Sequence, residues 1–562
     1  MRTWNPLRAL SSATRNAPWV VMAVAIHAIG LAVLSVWYVA QEKKPAEEWA
    51  ITLNPVRRAE EVLPIEVPAP QEPKRHAVPE NVAAELVKLD EAYVPQFADE
   101  TLAEIPDPGD PSSEVELPTG DSTGGTAIGV GPRGRHGTGK PSAIFGDRPG
   151  DPGRGDLGRP PRLGPNQELH ELVLGGLRWL ARHQNPDGSW SARELRSRCD
   201  AAQPCADPNA DFHALYDEGT TALAVLTFLG AGFSHESKQF LVDPVRGKRH
   251  RIGEIVKSGL QWLVKRQDAD GRFSKDQAFL YNEALATMAL TEAYGLTRSN
   301  YWKGPAQRGV DYLQRAQRPS PSGTGLWGWR YLPRSEVEDP RTTGTGAGPS
   351  KELFDADTSV TTWCVMALKS AELAELAIEP RSMQGAFDFV AWVTAADGRV
   401  GYIDPKGAGA TVTGKNDHYR YHPAVMSALG MCTRAFVRHD PSDPVLELSA
   451  KQLVQDLPAV SKDGLSVDYY YWYYGSLALN QFDGPESPRK SSKYWGPWNK
   501  AMVDSLKALV DPTPDRCRAG GWIVPDRWSY ASGPVYSTAL AVLTLEVYYR
   551  YANAFAGVRR AR

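Results

Sequence analysis

Cysteine is scarce: five in 562 residues, too few for a disulfide framework to hold a chain of this size. Neither sign of charge dominates, with 63 Lys+Arg against 66 Asp+Glu, so no basic surface suited to nucleic acid is expected. A hydrophobic fraction of 42% excludes both a wholly disordered chain and a multi-span transporter. A phosphate-binding loop is also missing. The glycines of residues 129–140, GVGPRGRHGTGK, have no strand before them and no helix after them. The most informative shortage is local. Residues 50–165 contain three aromatics (Tyr93, Phe97, Phe145), whereas residues 166–562 contain 45. A stretch with so little to bury cannot offset its ordering entropy. The length therefore reads as one large folded unit on a tether, not as several domains.

The tether begins with residues 1–16, read as cytoplasmic, and an apolar run at 17–40 that carries no formal charge. As a helix it would span about 36 Å, enough for a hydrocarbon core of about 30 Å. Trp19, Trp37 and Tyr38 stand near its ends, and Arg2, Arg8 and Arg15 precede it. This favours an anchor with its N-terminus inside and the bulk of the chain outside. A cleaved signal peptide competes, but the run is long for one and Tyr38-Val39-Ala40 is a poor cleavage site. His27, mid-span, reads as a tolerated neutral imidazole. Residues 41–107 are acidic and Pro-rich, with 15 Asp/Glu against 7 Lys/Arg, and residues 108–165 hold 15 Gly and 10 Pro. Both are expected to form a disordered arm over 41–165. Residues 82–93, VAAELVKLDEAY, are a candidate isolated helix within it.

From residue 166 to 556 one unit recurs six times: a one-faced helix ending in a tight turn, then a helix apolar nearly all round. The one-faced segments fall at 175–190, 258–273, 308–317, 385–402, 450–464 and 499–510; the apolar ones at 218–232, 281–296, 357–374, 421–436, 467–482 and 534–551. Helices apolar on every side belong inside, and amphipathic ones outside. Six such pairs closing on themselves make an all-α, α6–α6 toroid of two concentric layers. An open solenoid is the alternative, but its last helix should then be polar, and here it is strongly apolar. In Gln184-Asn-Pro-Asp-Gly-Ser-Trp190, Pro186 stops the helix and Gly188 supplies a positive φ. Gln184 is expected to bond orphan helix-end groups, with Trp190 packed over it.

These turns carry a resemblance. Trp179-Leu180, Gln184, Gly188 and Trp190 match the QW repeat of squalene/hopene cyclases and of the related β subunits of protein prenyltransferases. Trp262-Leu263, Gln267 and Gly271 follow the same pattern with Phe273 for Trp, and Tyr312-Leu313 and Gln317 with a longer gap to Gly325 and Trp327. In a fourth copy Thr394 stands where Gln would be. Over roughly residues 170–556 the chain thus resembles the terpenoid cyclase/protein prenyltransferase superfamily. It looks most like membrane-anchored bacterial proteins with prenyltransferase/squalene-oxidase repeats. That resemblance implies a single-pass protein of the bacterial inner membrane with a periplasmic toroid.

The chemistry of the superfamily is incompletely matched. Class II cyclases use Asp-x-Asp-Asp as a proton donor; Asp355-Ala356-Asp357-Thr358 lacks one carboxylate, and Asp357 can equally cap a helix. Prenyltransferases hold zinc with Asp-x-Cys and a later His. Asp468-Tyr469-Tyr470 has Tyr for Cys, Ser537 stands near the His position, and Asp515-Arg516-Cys517 precedes a turn. No metal and no cofactor are therefore expected. The Gly-Cys-Gly-Glu-Gln run of thioester toroids is absent. Candidate catalytic residues are Asp355, Asp357 and Asp468. Candidate binding residues are Glu283, His422, Tyr470, Trp472 and Tyr473, because acids at inner-helix starts can ring one mouth and aromatic faces suit isoprenoids, carbocations or sugars. Cys199 and Cys205 are expected to pair, with a zinc site including His213 as the lesser reading. Cys364 and Cys432 read as buried thiols. Function divides between binding, with or without transformation, of an isoprenoid or other apolar ligand; a non-catalytic envelope scaffold meeting protein partners; and a polysaccharide-acting enzyme. The anchor has a direct check: full-length protein should stay with membranes through an alkaline wash, and a chain starting at residue 166 should be released.

Overall fold

The computed structural model describes residues 167–555, apart from 200–203, 206–209, 211, 275–278, 337–353, 413–414, 490, 512–515 and 552. The expected anchor, arm and 82–93 helix lie outside the described residues. Among those described, no helix is long and apolar enough to cross a membrane.

Twelve long helices alternate between two layers. The outer ones are α1 (Gln167–His183), α3 (Ile252–Arg266), α5 (Asn300–Ala316), α7 (Pro380–Trp392), α9 (Pro444–Leu453) and α11 (Trp495–Leu509). The inner ones are α2 (Asp217–Gly230), α4 (Leu280–Thr297), α6 (Thr358–Leu373), α8 (Val425–Arg438), α10 (Tyr469–Asp483) and α12 (Ser529–Leu545). Burial separates the layers as the apolar pattern requires: 15 of 18 residues are buried in α4 but 7 of 17 in α5. Each inner helix packs on the next, and α12 packs on both α2 and α1, so the inner ring is closed. The fold is an α/α toroid. A two-stranded antiparallel hairpin, β1 (Phe240–Asp243) and β2 (Lys248–Arg251), stands between α2 and α3. Helix α12 holds a break: Gly533 has φ 53°, ψ −149°, and the regular helix resumes at Pro534, where the apolar pattern starts it.

The turns between layers share one set of bonds. The main-chain N–H of Trp190 donates to Thr221 Oγ1 (3.0 Å), that of Trp329 to Thr361 Oγ1 (3.0 Å) and that of Trp522 to Thr538 Oγ1 (3.0 Å), while Val400 donates to Ser427 Oγ (3.3 Å). The indole N–H of each Trp takes a carbonyl near the end of its outer helix: Leu180 (2.9 Å), Leu313 (2.7 Å) and Leu506 (2.8 Å). The glutamines do something else. Gln184 donates to Gly188 O (2.9 Å) and Ile255 O (3.0 Å), Gln267 to Gly271 O (3.3 Å) and Pro305 O (3.0 Å), and Gln317 to Trp327 O (2.6 Å) and Ser382 O (2.9 Å). Each thus ties its own turn to the following outer helix. So the orphan helix-end carbonyl expected of Gln184 goes to Trp190. In the third repeat the clamp is Trp329; Trp327 lies beside Phe389 and Trp392, 5.6 and 5.8 Å between ring centres. Phe273 is fully buried in the second turn but has no ring N–H to give.

The C-terminal end of the ring is tied by residues after α12. Arg550, fully buried, donates to Leu226 O (2.9 Å) on α2 and pairs with Glu292 (3.0 Å) on α4 and with Glu546 (3.7 Å). Asn553 donates to Gln481 O (2.7 Å) on α10, and the His439 ring, after α8, donates to Ala554 O (2.9 Å).

Gly188 tests the turn. Its φ is +95°, and a Cβ there would stand 2.4 Å from Ser258 O; at Gly247, φ +58°, nothing lies within 4 Å. A left-handed conformation alone costs a non-glycine residue roughly 1–2 kcal/mol. Gly188→Ala is therefore expected to destabilise by at least about 2 kcal/mol more than Gly247→Ala in chemical denaturation.

Candidate functional site

A cavity of about 160 Å³ lies at the end of the ring where the inner helices begin. Gly219 and Thr220 of α2, Asn282 of α4, Ser359 of α6, Met426 of α8 and Ser532 of α12 reach it from the barrel wall. Ten of its 21 lining residues are aromatic, and none is Asp, Glu, Lys, Arg or His. Phe279 stacks on Tyr331 (6.0 Å between centres), Tyr281 tilts against Tyr331 (5.9 Å), and Tyr216 meets Phe279 edge-on (5.6 Å). Across from them Tyr470 meets Trp528 edge-on (6.1 Å). Such edge and offset contacts hold rings in place without filling the space between them. Among the described residues, three polar atoms here have no hydrogen-bond partner: Tyr470 Oη, Tyr536 Oη and Trp528 Nε1. A buried donor left unpaired costs about 1–3 kcal/mol, which a ligand acceptor would recover.

The candidate acids stand behind this wall. Asp357 caps α6, its Oδ1 accepting from Val360 N (2.8 Å) and Ser359 Oγ (2.7 Å), and its Oδ2 from Arg330 Nη1 (3.2 Å). Because Ser359 spends its proton on Asp357, the Tyr281 hydroxyl is the donor in its 2.5 Å contact with Ser359. The chain of protons therefore runs toward Asp357 and away from the cavity. Burial pushes the Asp357 carboxyl up, with Arg330 opposing it. Arg330 also pairs with Asp355 (3.3 Å) and lies over the Tyr331 and Tyr402 rings, at 4.9 and 5.4 Å. Asp355 and Asp357 are thus brought together through one guanidinium, and neither lines the cavity.

The remaining candidates are spread along the same end of the ring. Asp468 caps α10 by accepting from Tyr471 N (2.9 Å), and burial pushes its carboxyl up. His422 lies between Asp456 Oδ2 (2.8 Å) and Ser466 O (3.1 Å). Burial alone would lower its pKa, but these partners and Asp468 carry it above the usual value. Glu283 accepts from Phe273 N (2.8 Å) and Ser274 N (3.1 Å), the place that threonine takes in three other turns. Within the aromatic run of α10, Tyr470 lines the cavity. Trp472 is buried edge-on to Tyr469 (5.6 Å), and Tyr473 stacks on Trp363 (5.9 Å), which does line it. Sequence reasoning missed Phe279, Tyr281, Tyr331, Tyr402, Trp528 and Tyr536. The available signal was an excess of aromatics at or just before inner-helix starts.

The cysteines differ from expectation. Cys199 and Cys205 are free thiols, as are Cys364, Cys432 and Cys517, so no disulfide joins the first two. Cys199 and Cys205 gather with Cys517 and His183, their ligand atoms all within 4.8 Å of one another. His213 takes no part. Its ring accepts from Leu215 N (3.0 Å) and caps a short 3₁₀ turn, Ala214–Tyr216.

No protein-family model matches the chain, and no curated protein matches it. Among solved structures it is similar to the type II terpene cyclase MstE from Scytonema at 12% identity, covering 67% of this chain and 97% of that one, with a TM-score of 0.42. The same cyclase in complex with geranylgeranyl dihydroxybenzoate gives 13% identity over 67% and 96%, TM-score 0.41. An α-1,6-mannanase of Salegentibacter gives 11% over 68% and 98%, TM-score 0.41. The class defined by the helix layers themselves is the α/α toroid with a cavity at the N-terminal mouth of its inner ring.

Glu283 sets a pH dependence. Burial raises its carboxyl from 4.5 to about 7 in the folded state. Between those values the folded state binds more protons than the unfolded, so stability must fall as pH rises through that window. Buried histidines such as His235 act in the opposite sense and Asp217 and Asp526 in the same one, so the Glu283 share is read as a difference: between pH 4.5 and about 7 the unfolding midpoint of the native chain is expected to fall relative to that of Glu283→Gln in the same buffers.

Proposed function

We propose that the mouth of the toroid binds an isoprenoid or other largely apolar ligand, and that the anchor at residues 17–40 holds it at the outer face of the inner membrane, where such molecules partition. One observation carries this reading: an aromatic cavity with no acidic or basic side chain among its described lining residues, and with unpartnered donors at Tyr470, Tyr536 and Trp528. A surface of that kind favours a greasy ring or chain carrying one acceptor over a polyhydroxylated one, which would need a set of converging polar groups. The volume, about 160 Å³, is close to that of engineered cavities of about 150 Å³ that admit benzene. It suits one ring or the end of a prenyl chain, with the rest of the molecule lying in the mouth. Acid-initiated turnover finds less support, since Asp355 and Asp357 are engaged with Arg330 outside the lining.

Titrating the full-length protein with a long-chain isoprenoid alcohol is expected to quench tryptophan fluorescence saturably. Tyr536→Phe should weaken binding about five-fold, the worth of one hydrogen bond of about 1 kcal/mol. Ala531→Trp, which fills the cavity, should abolish it. If the alcohol gives no saturable quenching, or Ala531→Trp binds as tightly as the native chain, the proposal fails and the scaffold reading takes its place.

A further inference from the structure

The first and sixth repeats meet at a cluster that the cavity does not use. His183 is the last residue of α1, Cys199 and Cys205 belong to the insertion between α1 and α2, and Cys517 lies between α11 and α12. His183, Cys205 and Cys517 are at most 4% exposed. His183 Nε2 stands 3.2 Å from Cys517 Sγ and 3.5 Å from Cys205 Sγ, and the Cys205 N–H points at Cys199 Sγ (3.5 Å). One imidazole nitrogen and three sulfurs therefore converge on a single point between them.

The dimensions suit one cation. Bonds of about 2.3 Å to sulfur and about 2.0 Å to nitrogen place neighbouring ligands of a tetrahedron about 3.5–3.8 Å apart. The His183 contacts lie near that edge length, and the widest separation in the set, 4.8 Å, leaves a small contraction. The imidazole is oriented for the task. Its Nδ1 is 2.7 Å from Trp179 O, and since a carbonyl cannot donate, Nδ1 carries the proton and Nε2 offers its lone pair to the sulfurs. Three thiolates and one divalent cation leave one negative charge, and one arginine guanidinium approaches it. Arg246 approaches Cys517 Sγ (3.9 Å) and donates to the Arg182 and Arg198 carbonyls. Arg182, itself paired with Asp243 (2.6 Å), donates to Cys517 O (3.1 Å) and Ala519 O (2.7 Å), so the Cys517 loop is held from behind.

We infer that His183, Cys199, Cys205 and Cys517 form a structural Cys₃His zinc centre that staples the insertion and the last repeat to the first. Three thiolates select a soft or borderline cation over magnesium or calcium, and four protein ligands leave no open position for catalysis. A disulfide between two of the thiols is the competing chemistry, and it would leave the third thiol and the imidazole without a shared partner.

The test uses full-length protein in detergent, purified without added metal or reductant. Elemental analysis should find about one zinc per chain, and alkylation in denaturant with chelator should label all five cysteines. Cobalt in place of zinc should show the intense visible bands and thiolate charge transfer of a tetrahedral site. Cys517→Ser should lower bound zinc at least ten-fold, while Cys432→Ser, buried elsewhere, should retain it. Should Cys517→Ser fail to fold, stripping the native protein with chelator should still lower its unfolding midpoint, and zinc should restore it. Absence of zinc from the native chain, alkylation of three cysteines instead of five, or an unchanged midpoint after chelation overturns the inference.

Discussion

One main-chain hydrogen bond organises this toroid. At the end of an outer-to-inner turn, an N–H donates to a hydroxyl placed one helical turn into the inner helix: Thr221, Thr361, Ser427 or Thr538. In the second repeat, Glu283 does the work of that hydroxyl with a carboxylate. The bond sets the distance between layers, and the indole of Trp190, Trp329 or Trp522 then takes up a carbonyl that the outer helix leaves unpaired. The glutamine clamps act sideways, joining each turn to the next outer helix. The vertical bond recurs in five repeats and the lateral clamp in the first three, and packing of α12 on α2 and α1 closes the ring.

Closure also explains why the cavity holds no charge. Inner helices begin at one end of the ring, and an acid near a helix start is drawn to exposed N–H groups. Asp357 and Asp468 are spent on caps and Glu283 on a turn. What remains to line the mouth is the aromatic excess of the connecting segments and first helical turns. At the opposite end Arg550 is buried against Glu292 and Glu546, and a buried arrangement of this kind is strongly destabilised when one partner is removed, by about 3–5 kcal/mol. The two ends are therefore chemically distinct: one ionic and sealed, the other aromatic and accessible.

Much of this was legible in the chain. Period and apolarity found all twelve segments and sorted them into layers, because burial on one side or on all sides leaves a mark on every turn of a helix, although the fifth one-faced segment, 450–464, meets α9 only at its last four residues. The turn glycines were legible for a related reason: Gly188 and Gly271 need a positive φ, and few residues tolerate it. Trp327 misled because the third turn is longer, and spacing cannot tell which of two tryptophans, Trp327 or Trp329, reaches back to Leu313. Glu283 and His422 misled for another reason. Nearness to a helix start says nothing about which way a carboxylate or imidazole points.

By itself the sequence determined the layer of each helix, the number of repeats and the sites of the turns, all of which follow from local burial and backbone conformation. The tertiary structure decided whatever depends on residues far apart in the chain meeting. It drew Tyr281, Tyr331, Tyr470 and Trp528 around one space, and it set Cys517 beside His183 across 334 positions. Cys199 and Cys205, six positions apart, invited a local pairing. Only closure of the ring brings the third thiol, Cys517, to His183 and these two, because the partner of the first repeat is the last.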